Sequence, residues 1–169
     1  LSKYEAGDKP LDFKNVELAR VIEAAIDNLN KKIEDKKLKV VLHNHLGNKM
    51  IPIDSDSMTQ VFINILDNAI KYCYEESQVT ITSKEAIVDD KIYAQVEIED
   101  QGEGISSEHL NRLTERFYRI DKDRSRDLGG TGLGLSIVKH ILNRHNGNLK
   151  IESTLNKGSI FTVYLPILD

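Results

Sequence analysis

Amphipathic helices alternate with short strands along this sequence, and that alternation limits the folds it can adopt. Apolar residues recur at helical spacing over residues 18–29 and 58–69, and a third helix is predicted over 132–145. The clearest strand, Lys91–Glu99, alternates apolar and polar residues. This order predicts an α/β two-layer sandwich, in which three helices cover one face of a mixed, mainly antiparallel sheet.

Shorter alternating segments predict the other strands, at residues 11–16, 38–42, 50–53, 79–86, 149–153 and 159–165. The first is expected at a sheet edge. We expect 38–42 and 50–53 to pair with each other across the glycine turn between them, and the last two strands to form a hairpin. Ser57 and Gln60 match a capping box, which predicts that the second helix begins there.

Composition and charge argue against several classes of protein. The chain has 169 residues, which fits one domain that needs neither disulfides nor a structural metal to fold. Its 23 basic and 27 acidic residues give a net charge of −4, which argues against a nucleic-acid partner. Cys73 has no second cysteine to pair with. No stretch approaches the roughly 18 apolar residues of a membrane span and no signal peptide is evident, so we expect a cytoplasmic domain.

One side of the second helix carries polar residues with a common chemistry. Asn64, Asn68 and Lys71 are spaced i, i+4 and i+7, which confines them to one narrow stripe. Amide oxygens can be neutral ligands of Mg²⁺, and a lysine supplies a point charge for phosphate. The alternative is an ordinary solvated helix face.

Asp100 comes directly after the alternating strand and is in phase with its inward-facing residues. Its carboxylate is therefore expected to point inward, where it needs hydrogen-bond donors. Gly102 and Gly104 follow and allow the backbone to turn closely around a ligand. An adenine amine would be a suitable donor, and the alternative is a tight turn with a surface aspartate.

A glycine-rich segment, residues 129–136, opens the third helix, and a helix start with unblocked N–H groups can bind phosphate. Its glycine spacing matches neither a P-loop nor the dinucleotide-binding fingerprint, and a flexible hinge is the alternative. Periodicity weakens between 101 and 130, which is typical of a lid or binding loop. Within it, Phe117 could fasten the lid to the core and Arg119 could reach a terminal phosphate; read alone, they form an ordinary amphipathic turn.

Four motifs occur in a fixed order: Asn-x-x-x-Asn-Ala-x-Lys-Tyr, Asp-x-Gly-x-Gly-Ile, Glu-Arg-Phe-Tyr-Arg and Gly-Thr-Gly-Leu-Gly-Leu. In these motifs the chain resembles the ATP-binding catalytic domain of bacterial sensor histidine kinases, which has the Bergerat fold. Within that family, residues 113–121 and 136–141 look most like the phosphate-regulon type. The resemblance implies that residues 1–10 are a junction from preceding dimerisation helices. Residues 11–169 would then be a single catalytic domain with a lid at about 101–130.

The resemblance also implies a role for each matching residue. Asn68, with Asn64 beside it, would hold Mg²⁺, Lys71 and Tyr72 would lie near the phosphates and nucleotide, and Arg119 would stabilise the transferring phosphoryl group. Asn68, Lys71 and Arg119 would be the catalytic residues. The rest would bind the nucleotide: Asp100, Gly102, Gly104, Ile105, Phe117, Gly130, Thr131, Gly132, Leu133, Gly134 and Leu135.

The implied activity is transfer of the γ-phosphoryl group from Mg-ATP to a histidine on a separate dimerisation domain of the same protein. A response regulator receiver domain would be the next partner, and the whole protein would be a membrane-anchored homodimer. None of the five histidines of this chain has the setting of that acceptor. The alternatives are a nucleotide-binding regulatory module without kinase activity, and an ATPase of the related chaperone or topoisomerase type.

Overall fold

The computed structural model describes residues 9–110, 112 and 134–167, and these form seven strands and five helices. The strands are β1 Lys14–Val16, β2 Lys39–Asn44, β3 Ile51–Ile53, β4 Gln78–Val88, β5 Lys91–Glu99, β6 Asn148–Thr154 and β7 Gly158–Pro166. The helices are α1 Leu18–Asn28, α2 Asn30–Asp35, α3 Ser55–Tyr72, α4 Ser107–Leu110 and α5 Gly134–Arg144. Among the described residues, no helix has the length and apolar character that crossing a membrane requires.

Five strands form the main sheet in the order β2-β4-β5-β7-β6. β2 runs parallel to β4, and the other neighbours are antiparallel. α3 contacts both α1 and α5 and therefore lies between them on the inner face. The predicted two-layer α/β sandwich, with a mixed, mainly antiparallel sheet, is confirmed, as is the hairpin of β6 and β7.

The predicted pairing of 38–42 with 50–53 is wrong. β2 pairs with β4, with Lys39 opposite Gln78, and β3 pairs with β1 in a separate two-stranded sheet. A turn between two alternating segments does not distinguish a hairpin from the start of a parallel crossover, and here α3 provides that crossover. β1 is also shorter than predicted, because only Lys14–Val16 finds a partner on β3.

The inner face of the sheet and the apolar stripes of the helices form one core. On β5, Ala94, Val96 and Ile98 are fully buried, while the residues between them face outward. The opposite face of the sheet stays polar: Glu97 of β5 accepts a hydrogen bond from Gln95 there and lies 3.8 Å from Lys84 Nζ. The burial pattern therefore follows the alternation of the sequence.

α3 begins earlier than the sequence predicts. Asp54 is its N-cap, and the Asp54 carboxylate accepts hydrogen bonds from the backbone N–H and the hydroxyl of Ser57, both at 2.9 Å. The predicted capping box of Ser57 and Gln60 is therefore wrong, because both residues lie within the helix and the cap is Asp54, which satisfies the orphan N–H of Ser57. Gln60 instead donates to Asn64 Oδ1 at 2.7 Å.

Candidate active site

A cleft opens where the C-terminal part of α3, the loop after β5, the start of α5 and β7 meet. Eight residues line it: Asn68, Tyr72, Asp100, Gly104, Ile105, Leu135, Ser159 and Phe161. The first six were predicted from sequence as site residues and come from three separate motifs. The structure thus brings those motifs to one place.

Asp100 is the buried charge of the cleft. It is 5% exposed, and its carboxylate Oδ1 accepts a hydrogen bond from the backbone N–H of Ser159 at 3.2 Å. Burial raises the pKa of this carboxyl to about 6; the neighbouring Glu99 adds to the rise, and the Ser159 hydrogen bond and Lys36 oppose it. The prediction that this side chain points inward is confirmed. A ligand that donates hydrogen bonds to Asp100 would relieve the cost of its burial.

The loop after Asp100 requires glycine at two positions. Gly102 pairs with Cys73 in an isolated β-bridge, and a Cβ on Gly102 would overlap the carbonyl oxygen of Tyr72. Gly104 has a φ of +74°, and a Cβ there would overlap the carbonyl oxygen of Thr154. The loop is therefore packed against the end of α3 on one side and against β6 on the other.

Residues of the β6–β7 hairpin complete the site, and the sequence did not point to them. The hydroxyl of Ser153 accepts from the Ile105 N–H at 2.7 Å, donates to the carbonyl of Gly158 at 2.9 Å, and lies 2.9 Å from the Ser159 hydroxyl. Phe161 forms part of the cleft wall. These residues belong to a hairpin with ordinary alternation of apolar and polar residues. In the sequence, only the glycine turn next to them was recognisable, and it predicted a hairpin rather than a site.

The polar stripe of α3 faces the start of α5. Asn64 Nδ2 donates to the carbonyl of Gly134 at 3.2 Å, so the amide of Asn64 joins the two helices. Asn68 Nδ2 donates to the backbone carbonyl of Asn64 at 3.0 Å. No donor among the described residues bonds to Asn68 Oδ1, and Asn68 lines the cleft, so this neutral oxygen suits a Mg²⁺ ligand.

Lys71, the third residue of the stripe, is held by an ion pair. Its Nζ lies 3.1 Å from Oδ2 of Asp67, one helical turn earlier, and its side chain is 14% exposed. The other carboxylate oxygen of Asp67 lies 2.9 Å from Nζ of Lys32 on α2. The sequence predicted Lys71 as a site residue and missed both partners.

The start of α5 adds a positive helix end to the site. The described part of the helix begins at Gly134, where a Cβ would lie 3.7 Å from Asn68 Nδ2, and Leu135 lines the cleft. Helix starts favour negative charge. Six residues predicted from sequence for the lid and the glycine-rich segment lie outside the described residues: Phe117, Arg119, Gly130, Thr131, Gly132 and Leu133. Most of the predicted lid at 101–130 lies outside them as well.

Of the described histidines, His145 is part of the packed interior, and His43 and His45 lie at the surface. His145 is buried at the end of α5, where its Nε2 accepts from the Asp54 N–H at 3.1 Å. His43 and His45 are exposed and stack with ring centroids 6.5 Å apart. Within the described ranges, no group of three or more histidine, cysteine or acidic residues is placed to hold a metal ion.

The sequence of this chain matches a known protein family. The profile of the "Histidine kinase-, DNA gyrase B-, and HSP90-like ATPase" family matches residues 53–169, more than half of the chain. The chain belongs to this ATPase family. The resemblance seen in the sequence motifs is therefore confirmed, and the family match covers the segments that carry Asn68, Asp100 and Leu135.

Named relatives of this ATPase domain are sensor kinases. Sensor histidine kinase WalK of Bacillus subtilis is 32% identical over 166 residues, which is 98% of this chain and 27% of that protein. Phosphate regulon sensor protein PhoR of Pseudomonas aeruginosa is 37% identical over 174 residues, or 97% of this chain and 36% of that protein. Within its family, this chain is an ATP-binding catalytic domain of the sensor histidine kinase type. The chain therefore spans only 27% of the length of WalK and 36% of the length of PhoR.

A solved structure shows the same fold. Full-length ShkA in complex with AMPPNP matches with a TM-score of 0.80 at 21% identity, covering 98% of this chain and 33% of that chain. At this identity the match concerns the fold alone. It agrees with the helices and mixed sheet described above for this ATPase domain.

Proposed function

We propose that this domain binds Mg-ATP in the cleft and transfers the γ-phosphoryl group to a histidine on a separate domain of the same protein. The observation that carries the proposal is the buried Asp100 carboxylate in a cleft that also exposes Asn68 and the start of α5. One side of the cleft thus suits a hydrogen-bond donor and the other suits anionic groups and their metal.

Asp100 would select the base. A carboxylate accepts hydrogen bonds, so it fits the exocyclic amine of adenine and is left facing a carbonyl oxygen when guanine takes the same place. Gly102, Gly104 and Ile105 would form the rest of the adenine pocket, because their loop packs tightly against α3 and β6. We therefore expect a preference for ATP over GTP.

Asn68 would be the main protein ligand of Mg²⁺, since Asn68 lines the cleft and its side-chain oxygen bonds to no described donor. The metal would supply positive charge that neutralises the phosphates during transfer. Asn64 would hold α3 against α5, and its Oδ1, which accepts from Gln60, would keep a second lone pair for the metal. Tyr72 would contact the nucleotide, Lys71 would bind a phosphate oxygen, and Leu135 and Gly134 would support the phosphates at the helix start.

Phosphoryl transfer needs mainly positioning and charge neutralisation, so a domain that grips the nucleotide can work on an acceptor carried elsewhere. Phe117 and Arg119 would complete the site from the lid, Arg119 by stabilising the charge of the transferring group. The acceptor would lie on a dimerisation and histidine phosphotransfer domain, and a response regulator receiver domain would take the phosphoryl group next. A membrane-anchored homodimer is the proposed form of the whole protein.

Calorimetry with Mg-ATP and Mg-GTP, followed by transfer to a supplied histidine-bearing helical hairpin, tests the proposal. Asp100→Asn should abolish measurable ATP binding, while the matched change Asp90→Asn in the β4–β5 turn should not. Asn68→Ala should abolish transfer, with Asn143→Ala on the exposed side of α5 as its control. The chain alone should acquire no phosphohistidine.

Other outcomes would point elsewhere. Tight ATP binding without transfer to a competent acceptor would favour the regulatory module. Steady ATP hydrolysis without transfer would favour an ATPase of the chaperone or topoisomerase type. No binding of ATP at all would overturn the proposal.

A further inference from the structure

One carboxylate connects the proposed phosphate-binding lysine to a second lysine on a different helix. Oδ2 of Asp67 lies 3.1 Å from Nζ of Lys71, and Oδ1 of Asp67 lies 2.9 Å from Nζ of Lys32 on α2. The side chain of Asp67 is 23% exposed and that of Lys32 is 51% exposed. The three groups together carry one net positive charge, with Lys71 as the least exposed member.

The ion pair poses a problem for nucleotide binding. If Lys71 turns to a phosphate oxygen, its bond to Asp67 weakens, and a half-buried carboxylate without a partner is costly. Lys32 removes that cost, because it reaches the other oxygen of the same carboxylate and has no need to move. Without Lys32, Lys71 would be the one cation of the described residues paired with Asp67, and Asp67 would compete with the phosphate for it.

We infer that Lys32 and Asp67 are positioning residues for Lys71. Asp67 holds the Lys71 ammonium along the polar stripe of α3, and Lys32 keeps Asp67 neutralised so that Lys71 can be shared with a phosphate. The inference rests on the proposed function, and it assigns to α2 a part in phosphate binding although α2 contributes no residue to the cleft wall.

Lys36, the C-cap residue that follows α2, has a different role from Lys32. Lys36 Nζ donates to the backbone carbonyls of Ile70 and Lys71, at 2.7 and 3.1 Å, and so caps the end of α3. It contacts main-chain oxygen rather than Asp67. Its replacement would disturb the helix end itself, so Lys36 is unsuitable as a control.

The test is a double-mutant cycle on ligand affinity, measured by calorimetry with Mg-ATP and with adenosine, which lacks phosphate. Lys32→Met should weaken ATP binding by about three- to tenfold and leave adenosine binding unchanged. Lys31→Met, an adjacent exposed lysine on the same helix, removes the same charge and should change ATP affinity by less than about twofold. In an Asp67→Asn background, Lys32→Met should lose its effect, because there is no carboxylate left to neutralise.

Each contrary result identifies what failed. Equal effects of Lys32→Met and Lys31→Met would mean a general charge effect and would overturn the inference alone. So would an effect of Lys32→Met that persists in Asp67→Asn, or one that extends to adenosine. If the wild-type chain binds ATP no more tightly than adenosine, the role of Lys71 is overturned and this inference with it. A wild-type chain that binds neither ligand would overturn the proposed function as well.

Discussion

Asp100 and Ser159 are joined by two hydrogen bonds: the Asp100 N–H donates to the Ser159 carbonyl at 2.9 Å, and the Asp100 carboxylate accepts from the Ser159 N–H at 3.2 Å. The first bond continues the β5–β7 ladder by one residue, since Glu99 is opposite Ile160. That strand pairing holds the Asp100 carboxylate in a buried position, where Ser159 is the one backbone donor that the described residues supply. The strand pairing that stabilises the fold thus also creates the unfavourable charge that a ligand can relieve.

Asp100→Asn is expected to stabilise the ligand-free domain at neutral pH. The pKa of Asp100 is raised from its ordinary 3.8 to about 6 by burial, so the ionised form is disfavoured in the folded state. Its cost is absent below about pH 4, grows between about pH 4 and pH 6, and levels off above that at no more than about 3 kcal/mol. Urea unfolding should show the variant more stable at pH 7.5 and no more stable at pH 4. A variant that is less stable at pH 7.5 would contradict this reading.

Nucleoside binding should depend on pH through the same group. A donor amine favours the ionised carboxylate, so binding should lower the pKa of Asp100 and release a proton near pH 6. Affinity should fall as pH drops below 6, by up to about tenfold per pH unit. Adenosine is the suitable ligand, because the phosphates of ATP titrate in the same range. Calorimetry in two buffers of different ionisation enthalpy measures the proton release, and an affinity that is constant from pH 5 to 7.5 would exclude the mechanism.

The sequence was enough to predict the three longer helices and most strands. Stripes at 3.6-residue spacing became α1 and α3, the third predicted helix became α5, and alternation became β5 with its buried inner face. What spacing could not supply was the choice of partner for β2 and β3. Partner choice depends on which segments the crossover helix brings together, a tertiary property that no local pattern carries.

Only some residues of the candidate site could likewise be predicted from local sequence patterns. Asn68, Tyr72 and Asp100 were found because each sits in a short motif whose residue types suggest chemistry. Ser153 and Ser159 were missed, because serine in an alternating hairpin looks like any surface hydroxyl. Their position beside Asp100 arises only from the register of β5, β6 and β7.

Gly104→Ala should damage the adenine pocket more than its backbone angle alone explains. Gly104 has φ +74° and a Cβ there would overlap the carbonyl oxygen of Thr154, whereas Gly47 has φ +59° with open space around it. Gly47→Ala therefore measures the cost of the left-handed conformation by itself, about 1–2 kcal/mol. Gly104→Ala should cost at least about 1 kcal/mol more in urea unfolding and should also abolish adenosine binding. Equal losses of stability in the two variants would show that the loop relaxes without strain.

His145 connects the end of α5 to the start of α3 and to the segment before β1. Its Nδ1–H donates to the Ile141 carbonyl at 2.9 Å, its Nε2 accepts from the Asp54 N–H at 3.1 Å, and the ring of Phe13 meets it edge-on. Burial lowers the pKa of this imidazole, so the neutral form is the native one. At Asp54 burial tends to raise the pKa, but hydrogen bonds from Ser57 and Asp12 outweigh it and lower it overall.

Acidification should therefore remove the contribution of His145 to stability before that of Asp54. Because the folded pKa of His145 lies below its ordinary 6.5, its contribution is complete above pH 6.5 and is lost as pH falls through the folded value. His145→Phe leaves the Asp54 N–H unpaired and should cost about 1–3 kcal/mol at pH 7.5. The difference in unfolding free energy between wild type and variant should shrink from pH 7 to pH 5, well above the range in which Asp54 titrates. His43→Gln, at an exposed histidine, should leave the pH profile unchanged, and a constant difference for His145→Phe would mean that the imidazole serves packing alone.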